Sequence, residues 1–94
     1  MGMSALRLSP EGLLEVVGSM TAAEVPGLLA GLNRFSGVMH VDLKAVDRVD
    51  SSALSVLLAL SRAAKGATVT VHHAPSGLKA LGDLYGLQTL FWVV

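Results

Sequence analysis

The chain has 94 residues, of which 52 % are hydrophobic and 15 % are charged, and its seven basic residues balance seven acidic ones. A chain of this length is expected to form one domain over residues 1–94, with little room for a two-lobed active site. The balanced charge gives no net field that would attract nucleic acid or an anionic membrane. With no cysteine, no recognisable secretion signal and no apolar run of membrane-spanning length, the protein is expected to be cytoplasmic.

Turn residues near the N-terminus predict a hairpin. Ser9-Pro10-Glu11-Gly12 has proline second and glycine fourth, which is the preference of a type I turn. This turn separates two apolar segments, 4–8 and 13–17, which are therefore predicted to pair as antiparallel strands.

The first helix is predicted from Thr21 and Glu24, which have the spacing of a capping box. Its regular part is expected to begin near Val25, because Pro26 removes one early backbone hydrogen bond. The helix is expected to reach about Asn33.

The remainder of the chain alternates strands with helices. The predicted elements are a strand at 38–43, a loop at 44–49, a helix from Ser51 or Ser52 to Lys65 stopped by Gly66, a strand at 68–72, a helix capped by Ser76 and closed by Gly86, and a strand at 90–93. This order indicates an α/β fold with a central mixed sheet of about four or five strands and parallel crossovers. The apolar tail from Phe91 to Val94 is expected either to fold back as the last strand or to mediate homodimers.

The histidines do not predict a metal site. His72 and His73 are adjacent in a predicted strand, so their rings point to opposite faces and cannot chelate one ion together. His40 stands alone on another strand. We therefore expect ordinary surface or edge histidines.

Three acids, Asp42, Asp47 and Asp50, cluster in the sequence and would suit a magnesium site or a phospho-acceptor pocket. Such a pocket also needs a pair of acids after the first strand, and residues 19–23 contain none. Acids that cap a strand end and a helix start are the favoured interpretation. Because the chain also lacks a phosphate-binding glycine loop and a nucleophile elbow, neither a cofactor nor an enzymatic activity is predicted.

The apolar helix that follows residue 50 has an unusual outer face. At about 100° per residue, the side predicted to pack on the sheet carries Leu54, Leu57, Leu58, Ser61 and Ala64. The opposite side carries Ser52, Ser55, Val56, Ala59, Ala63 and, at its edge, Arg62. A solvent-facing helix would normally carry Glu, Lys or Gln there, so this face is predicted to bind a partner protein. Coverage by another element of the same chain is the alternative.

Asp50, Ser51 and Ser52 precede this helix, and each is a common N-cap residue. Three in succession exceed what one helix end needs, so all three are also predicted to belong to the partner-binding face. A phosphate on either serine would gain from the helix dipole while placing roughly two negative charges on that face. Ser52 and Ser51 are therefore candidate phosphorylation sites of an on/off switch.

The stretch from Val41 to Leu58 resembles the STAS domain family, which includes anti-sigma factor antagonists and the cytoplasmic tails of sulfate transporters. Asp42-Leu43 and Val49-Asp50-Ser51-Ser52 follow the family's strand, loop and helix pattern, with Ala53 in place of a family glycine. The resemblance implies a STAS fold with about three helices mainly on one side of the sheet. In the antagonists the second serine of the motif is phosphorylated, and that serine corresponds to Ser52.

Within the family, the chain is most similar to the MlaB subgroup, small accessory subunits attached to the ATPase of a phospholipid ABC transporter. Arg48-Val49-Asp50 and the segment 81–87 carry this similarity, and the subgroup's threonine after the aspartate corresponds to Ser51. The similarity implies binding to the ATPase of a MlaFEDB-type lipid asymmetry transporter, with the inner membrane reached only through the transporter. The alternative is an anti-sigma factor antagonist whose kinase partner phosphorylates Ser52.

Overall fold

Six strands and three α-helices build the described part of the chain, which comprises residues 4–35, 37–65, 67–86 and 90–93 of a computed structural model. The strands are β1 (Ala5–Leu8), β2 (Leu14–Met20), β3 (His40–Asp42), β4 (Val46–Val49), β5 (Val69–His72) and β6 (Leu90–Trp92). The helices are α1 (Val25–Gly31), continued by a 3-10 helix at Leu32–Phe35, α2 (Ala53–Ala63) and α3 (Leu78–Leu84). The α/β class and the mixed sheet are confirmed, with one strand more than predicted.

The N-terminal hairpin forms as predicted. The N–H of Gly12 donates to the carbonyl oxygen of Ser9 at 3.0 Å, and β1 pairs antiparallel with β2 from Ala5 opposite Val17 to Leu8 opposite Leu14. A φ of 86° at Gly12 explains why glycine stands fourth in this turn.

Strand β2 pairs with three other strands. The sheet order is β1-β2-β3-β5-β6, with β4 also paired to β2, and every pairing except that of β1 with β2 is parallel. The first residues of β2 pair with β3, and residues 18–20 pair with β4. The pairing with β4 has a register irregularity between Gly18 and Ser19. The segment 44–49, predicted as a loop, therefore contains a strand that brings Asp50 beside the end of β2.

The helices pack on one face of the sheet. Fully buried side chains from both layers share one core, among them Leu14, Val16, Val41, Val69 and Val71 from the strands and Val56, Leu57 and Leu78 from the helices. Alternate strand residues lie on the opposite face, among them Glu15, His40, Asp42, Thr70, His72 and Phe91. The two faces of the sheet therefore differ in chemistry: one is an aliphatic core and the other is largely polar.

Helix α1 begins at Val25, as predicted, with Pro26 in its first turn. The Glu24 carboxylate accepts hydrogen bonds from the hydroxyl and the backbone N–H of Thr21, at 2.6 and 3.2 Å. These contacts supply one half of the predicted capping box. The α-helical part ends at Gly31, and the chain continues as the 3-10 helix past the predicted end at Asn33.

The start of α3 differs from its prediction. Ser76 does not cap the helix; Gly77 occupies the cap position with a φ of 90°, and no side-chain hydrogen bond closes the first turn. Glycine takes this left-handed conformation without steric cost, so the backbone turns without help from a serine hydroxyl. Gly86 ends the helical segment as predicted, with its N–H bonded to the carbonyl of Asp83 at 3.1 Å.

The C-terminal tail folds back as a strand. Leu90, Phe91 and Trp92 pair in parallel with Val69, Thr70 and Val71 of β5, which confirms the predicted last strand. Val94, like the predicted helix stop Gly66, lies outside the described residues. Helix α2 itself ends at Ala63, and Lys65 has a φ of 58°.

Candidate functional site

The Asp50 carboxylate joins the N-cap residue of α2 to the turn that precedes α1. Its Oδ1 accepts a hydrogen bond from the backbone N–H of Ser52 at 2.8 Å, and its Oδ2 accepts one from that of Ala22 at 3.1 Å. The N–H of Ala53 also donates to the Asp50 carbonyl at 3.0 Å. Ser52 makes no side-chain cap hydrogen bond. Asp50 therefore holds the first turn of α2 through both its carboxylate and its backbone carbonyl.

These contacts favour the ionised form of Asp50. The hydrogen bond from Ala22 is the largest influence that lowers the pKa of this carboxyl, followed by the one from the Ser52 backbone, while partial desolvation acts in the opposite direction. The side chain is thus a carboxylate at neutral pH. It places a fixed negative charge at the edge of the predicted docking face.

The outer face of α2 is a stripe of four residues spaced by four, three and four positions: Ser51, Ser55, Leu58 and Arg62. This spacing follows one side of an α-helix. Ser51, Ser55 and Arg62 are exposed, whereas Leu58 is half-buried. Ser52 is half-buried as well, so Ser51 is the more accessible of the two candidate phosphorylation sites.

A shallow groove runs between the first half of α2 and the end of α3. We call it the α2–α3 groove, and its lining residues are Ser51, Leu54, Ser55, Leu58 and Tyr85. None of these side chains carries a charge at neutral pH. Tyr85 is 60 % exposed, and the preceding residue in the chain, Leu84, is 76 % exposed, so the end of α3 presents two large side chains to solvent. The sequence did not assign this surface to the site, although Leu84 and Tyr85 lie in the segment that resembles the MlaB subgroup.

The predicted docking face requires one correction at Val56. That residue is fully buried and packs in the core, so its side chain cannot contact a partner. Ala59 also packs against the core, while Leu58, predicted to be buried, lines the groove. The stretch from Leu54 to Leu60 is apolar on nearly all sides, so its pattern does not specify which side faces the sheet.

A polar cleft lies on the other side of Asp50. Its lining includes Ser19, Thr21, Glu24, Arg48 and Asp50, at the junction of β2, β4 and the start of α1. Arg48 thus stands among two carboxylates and two hydroxyls. The cleft extends the polar rim of the site, and it could not be predicted because it depends on the unexpected pairing of β4 with β2.

The three clustered aspartates do not form a joint site. Asp42 bonds His73 and the N–H of Lys44, Asp47 accepts the Ser19 hydroxyl at 2.8 Å, and Asp50 binds the helix amides. In the described ranges, no group of three or more His, Cys, Asp or Glu side chains is arranged to hold a metal ion. The prediction that these acids serve strand and helix ends is therefore confirmed for Asp42 and Asp50.

His40 does not stand alone, contrary to the prediction. Its Nδ1 lies 3.1 Å from Nε2 of His72 on the neighbouring strand β5. His73, which follows β5 with a φ of 56°, places its Nδ1 3.0 Å from Oδ1 of Asp42, the register partner of His72. Burial, the largest influence, raises the pKa of Asp42, but the backbone N–H of Lys44 and the contact with His73 outweigh it and lower the pKa.

Comparison with known proteins assigns the chain to a family. A family model described as "Mlab, STAS domain" matches residues 4–93, which is nearly the whole chain. A search of curated protein sequences finds no match. The mixed sheet with three helices agrees with the STAS fold. From this match and this fold, we conclude that the chain belongs to the MlaB-like family of STAS domains.

Proposed function

We propose that the chain is a non-enzymatic, cytoplasmic accessory subunit that binds and regulates the ATPase of a MlaFEDB-type phospholipid ABC transporter. The observation that carries this proposal is the α2–α3 groove, an exposed and uncharged surface beside the fixed carboxylate of Asp50. Family membership supports the class of partner.

The groove has the chemistry of a protein-binding surface. Leu58 and Tyr85 provide apolar area that a partner helix can cover, and Ser51 and Ser55 are small enough to let its backbone approach closely. Burial of uncharged side chains avoids the large desolvation cost of burying charges. We therefore expect an apolar helix of the ATPase to pack in the groove, with Asp50 and Arg62 at the rim setting its orientation.

Regulation requires that the subunit bind one state of the ATPase more tightly than another. A groove that orients its partner can supply such a difference by fixing the position of one ATPase element. Among the described residues, the structure contains no helix long and apolar enough to cross a membrane. In this proposal, contact with the membrane is made by the other transporter subunits.

We expect Ser51→Glu and Ser55→Glu each to reduce recovery of the ATPase by about tenfold or more, because each change buries a carboxylate in the groove against an apolar partner. The measurement is the amount of ATPase and permease that co-purifies with the tagged chain. Ser76→Glu is the matched control, since Ser76 is also exposed but lies at the opposite end of α3 from Tyr85.

Normal recovery of the ATPase by both groove variants would exclude the groove as the binding surface. Circular dichroism of each variant checks that it is folded. Loss of the ATPase from Ser76→Glu as well would indicate a general effect of added charge.

A second candidate is the anti-sigma factor antagonist, with a serine kinase as direct partner. It is favoured by the position of Ser52 at the N-cap of α2, where its hydroxyl makes no cap hydrogen bond. This function predicts that the kinase and ATP add one phosphate to the chain and that Ser52→Ala abolishes the addition. Mass spectrometry of the reaction products distinguishes this candidate from the transporter subunit.

A further inference from the structure

His40 and His72 meet on the sheet face opposite the helices. The parallel register places His40 opposite Thr70 and His72 opposite Asp42, so the two rings stand on the same face, one step apart on neighbouring strands. Nδ1 of His40 and Nε2 of His72 are 3.1 Å apart, and the ring centroids are 5.4 Å apart. His40 is exposed and His72 is half-buried, so ions in solution can reach both nitrogens.

The distance between the two nitrogens suits a shared metal ion. A zinc–nitrogen bond is about 2.0 to 2.1 Å long, so two imidazole nitrogens on one ion at angles of about 90 to 110° lie roughly 2.9 to 3.4 Å apart. The observed separation falls inside this range. Without a metal, one nitrogen donates its hydrogen to the other; with a metal, both nitrogens direct lone pairs at the ion after small rotations of the rings.

The surroundings of the pair also favour a cation. Asp42, the register partner of His72, lies on the same face, and its Oδ1 is contacted by the N–H of Lys44 and by Nδ1 of His73, each at 3.0 Å. This carboxylate lies beside the pair, and the two contacts engage its Oδ1. His73 belongs to that second contact and is separate from the pair.

We propose that His40 and His72 form a binding site for a divalent transition-metal cation such as Ni²⁺, Cu²⁺ or Zn²⁺. Imidazole nitrogen suits these ions, whereas Mg²⁺ and Ca²⁺ prefer oxygen ligands. Water completes the coordination of the bound ion. The ion links β3 to β5 in the folded state only, so its binding stabilises the fold. The site lies on the opposite side of the sheet from the α2–α3 groove and does not depend on the proposed function.

The test uses the full chain without an affinity tag, titrated with NiCl₂ alone and followed by calorimetry and by thermal unfolding. We expect one ion per chain and a rise in Tm. His40→Gln and His72→Gln are each expected to weaken binding by about tenfold or more, since each removes one of two ligands. His73→Gln is the matched control and should bind as the unmodified chain does, while Mg²⁺ should produce neither heat nor a shift in Tm.

A second measurement uses the unmodified chain, so it remains possible even if a histidine variant fails to fold. Paramagnetic Ni²⁺ bound at this site should broaden the imidazole proton signals of His40 and His72 in the unmodified chain before those of His73. The proposal is overturned if nickel neither binds nor raises Tm, if the double variant His40→Gln/His72→Gln binds normally, or if the broadening centres on His73.

Discussion

Asp50 shows most clearly what the structure adds to the sequence at the level of single residues. Its carboxylate places one oxygen on the amide of the α2 N-cap residue and the other on an amide in the turn before α1, and so links the two segments. The sequence predicted a cap at residues 50–52 and could not say which of the three side chains provides it. The choice depends on Ala22, which is 28 residues away in the chain. Contacts across that separation follow from the pairing of β4 with β2, which no local pattern indicates.

We expect Asp50→Asn to lower the free energy of unfolding at neutral pH. An asparagine side chain has one oxygen acceptor, so it can retain one of the two amide contacts and loses the charge that strengthens them. Urea unfolding followed by circular dichroism gives the comparison. Asp83→Asn is the control. It removes the same charge from an exposed carboxylate whose contact is with the Lys79 side chain.

The difference between the native chain and Asp50→Asn should also depend on pH. The folded-state pKa of Asp50 is lowered, so its stabilising contribution is present above the ordinary aspartate value of about 3.9 and is lost as the pH falls through the lowered folded value. The stability difference should stay constant from pH 7 to about pH 5 and shrink below about pH 4. A difference that persists unchanged at pH 2 would contradict this assignment.

At the level of elements, α2 shows where periodicity is informative and where it is not. The helix itself was predicted within two residues at each end, because caps and apolar spacing define it. Its orientation was predicted only in part. Leu57 and Ser61 are buried as expected, but Val56, predicted to face a partner, is buried, and Leu58, predicted to face the sheet, is half-buried. A helix with apolar residues on most sides can pack in more than one rotation, and tertiary contacts decide between them.

Helix α3 packs closely on β6 at Gly82, which gives a prediction for this pair of elements. A Cβ atom added at Gly82 would lie 2.5 Å from Cζ2 of the Trp92 ring, so the rigid indole or the helix must move. We expect Gly82→Ala to destabilise the fold by about 1 to 3 kcal/mol, the usual cost of overpacking. The measurement is the free energy of unfolding in urea, followed by Trp92 fluorescence.

Gly27→Ala in α1 is the matched control for this change. A Cβ at Gly27 has no neighbour within 4 Å, so alanine should stabilise α1 by about 0.5 to 1 kcal/mol through its higher helix propensity. If the two substitutions change the free energy of unfolding in opposite directions, the effect at Gly82 comes from the contact with Trp92. A stabilising Gly82→Ala would contradict that contact.

For the whole molecule, the charge balance bears on how the proposed partner binds. The chain has no net charge, and the α2–α3 groove has no charged side chain in its lining. Binding through the groove should therefore rest on apolar contacts, which salt does not screen. We expect the Kd for the purified ATPase to change by less than about threefold between about 0.05 and 0.5 M NaCl.

Titration of labelled chain with the ATPase at the two salt concentrations provides this measurement. A steep loss of affinity with salt would indicate that rim charges such as Arg48 or Arg62 dominate binding. Dominance of Arg48 would make the polar cleft beside Asp50, rather than the groove, the principal contact surface, because Arg48 lines that cleft.

The order of strands and helices was largely predictable, because turn residues, caps and apolar spacing are local signals. The contact between His40 and His72 was not, since two residues 32 positions apart meet only through the register of β3 with β5. Strand β4 was missed for a similar reason. Val46–Val49 is short and has two charged residues at its centre, so only its pairing with β2 makes it a strand.

The double engagement of Asp50 has a mechanical consequence for the whole domain. Because one carboxylate contacts both segments, a group that moves it away from the Ser52 amide would also change its contact with Ala22. A phosphate on Ser52 would repel that carboxylate at close range, so a modification on α2 would be felt by α1. Through the Asp50 carboxylate, a change at Ser52 would thus alter the position of α2 relative to α1.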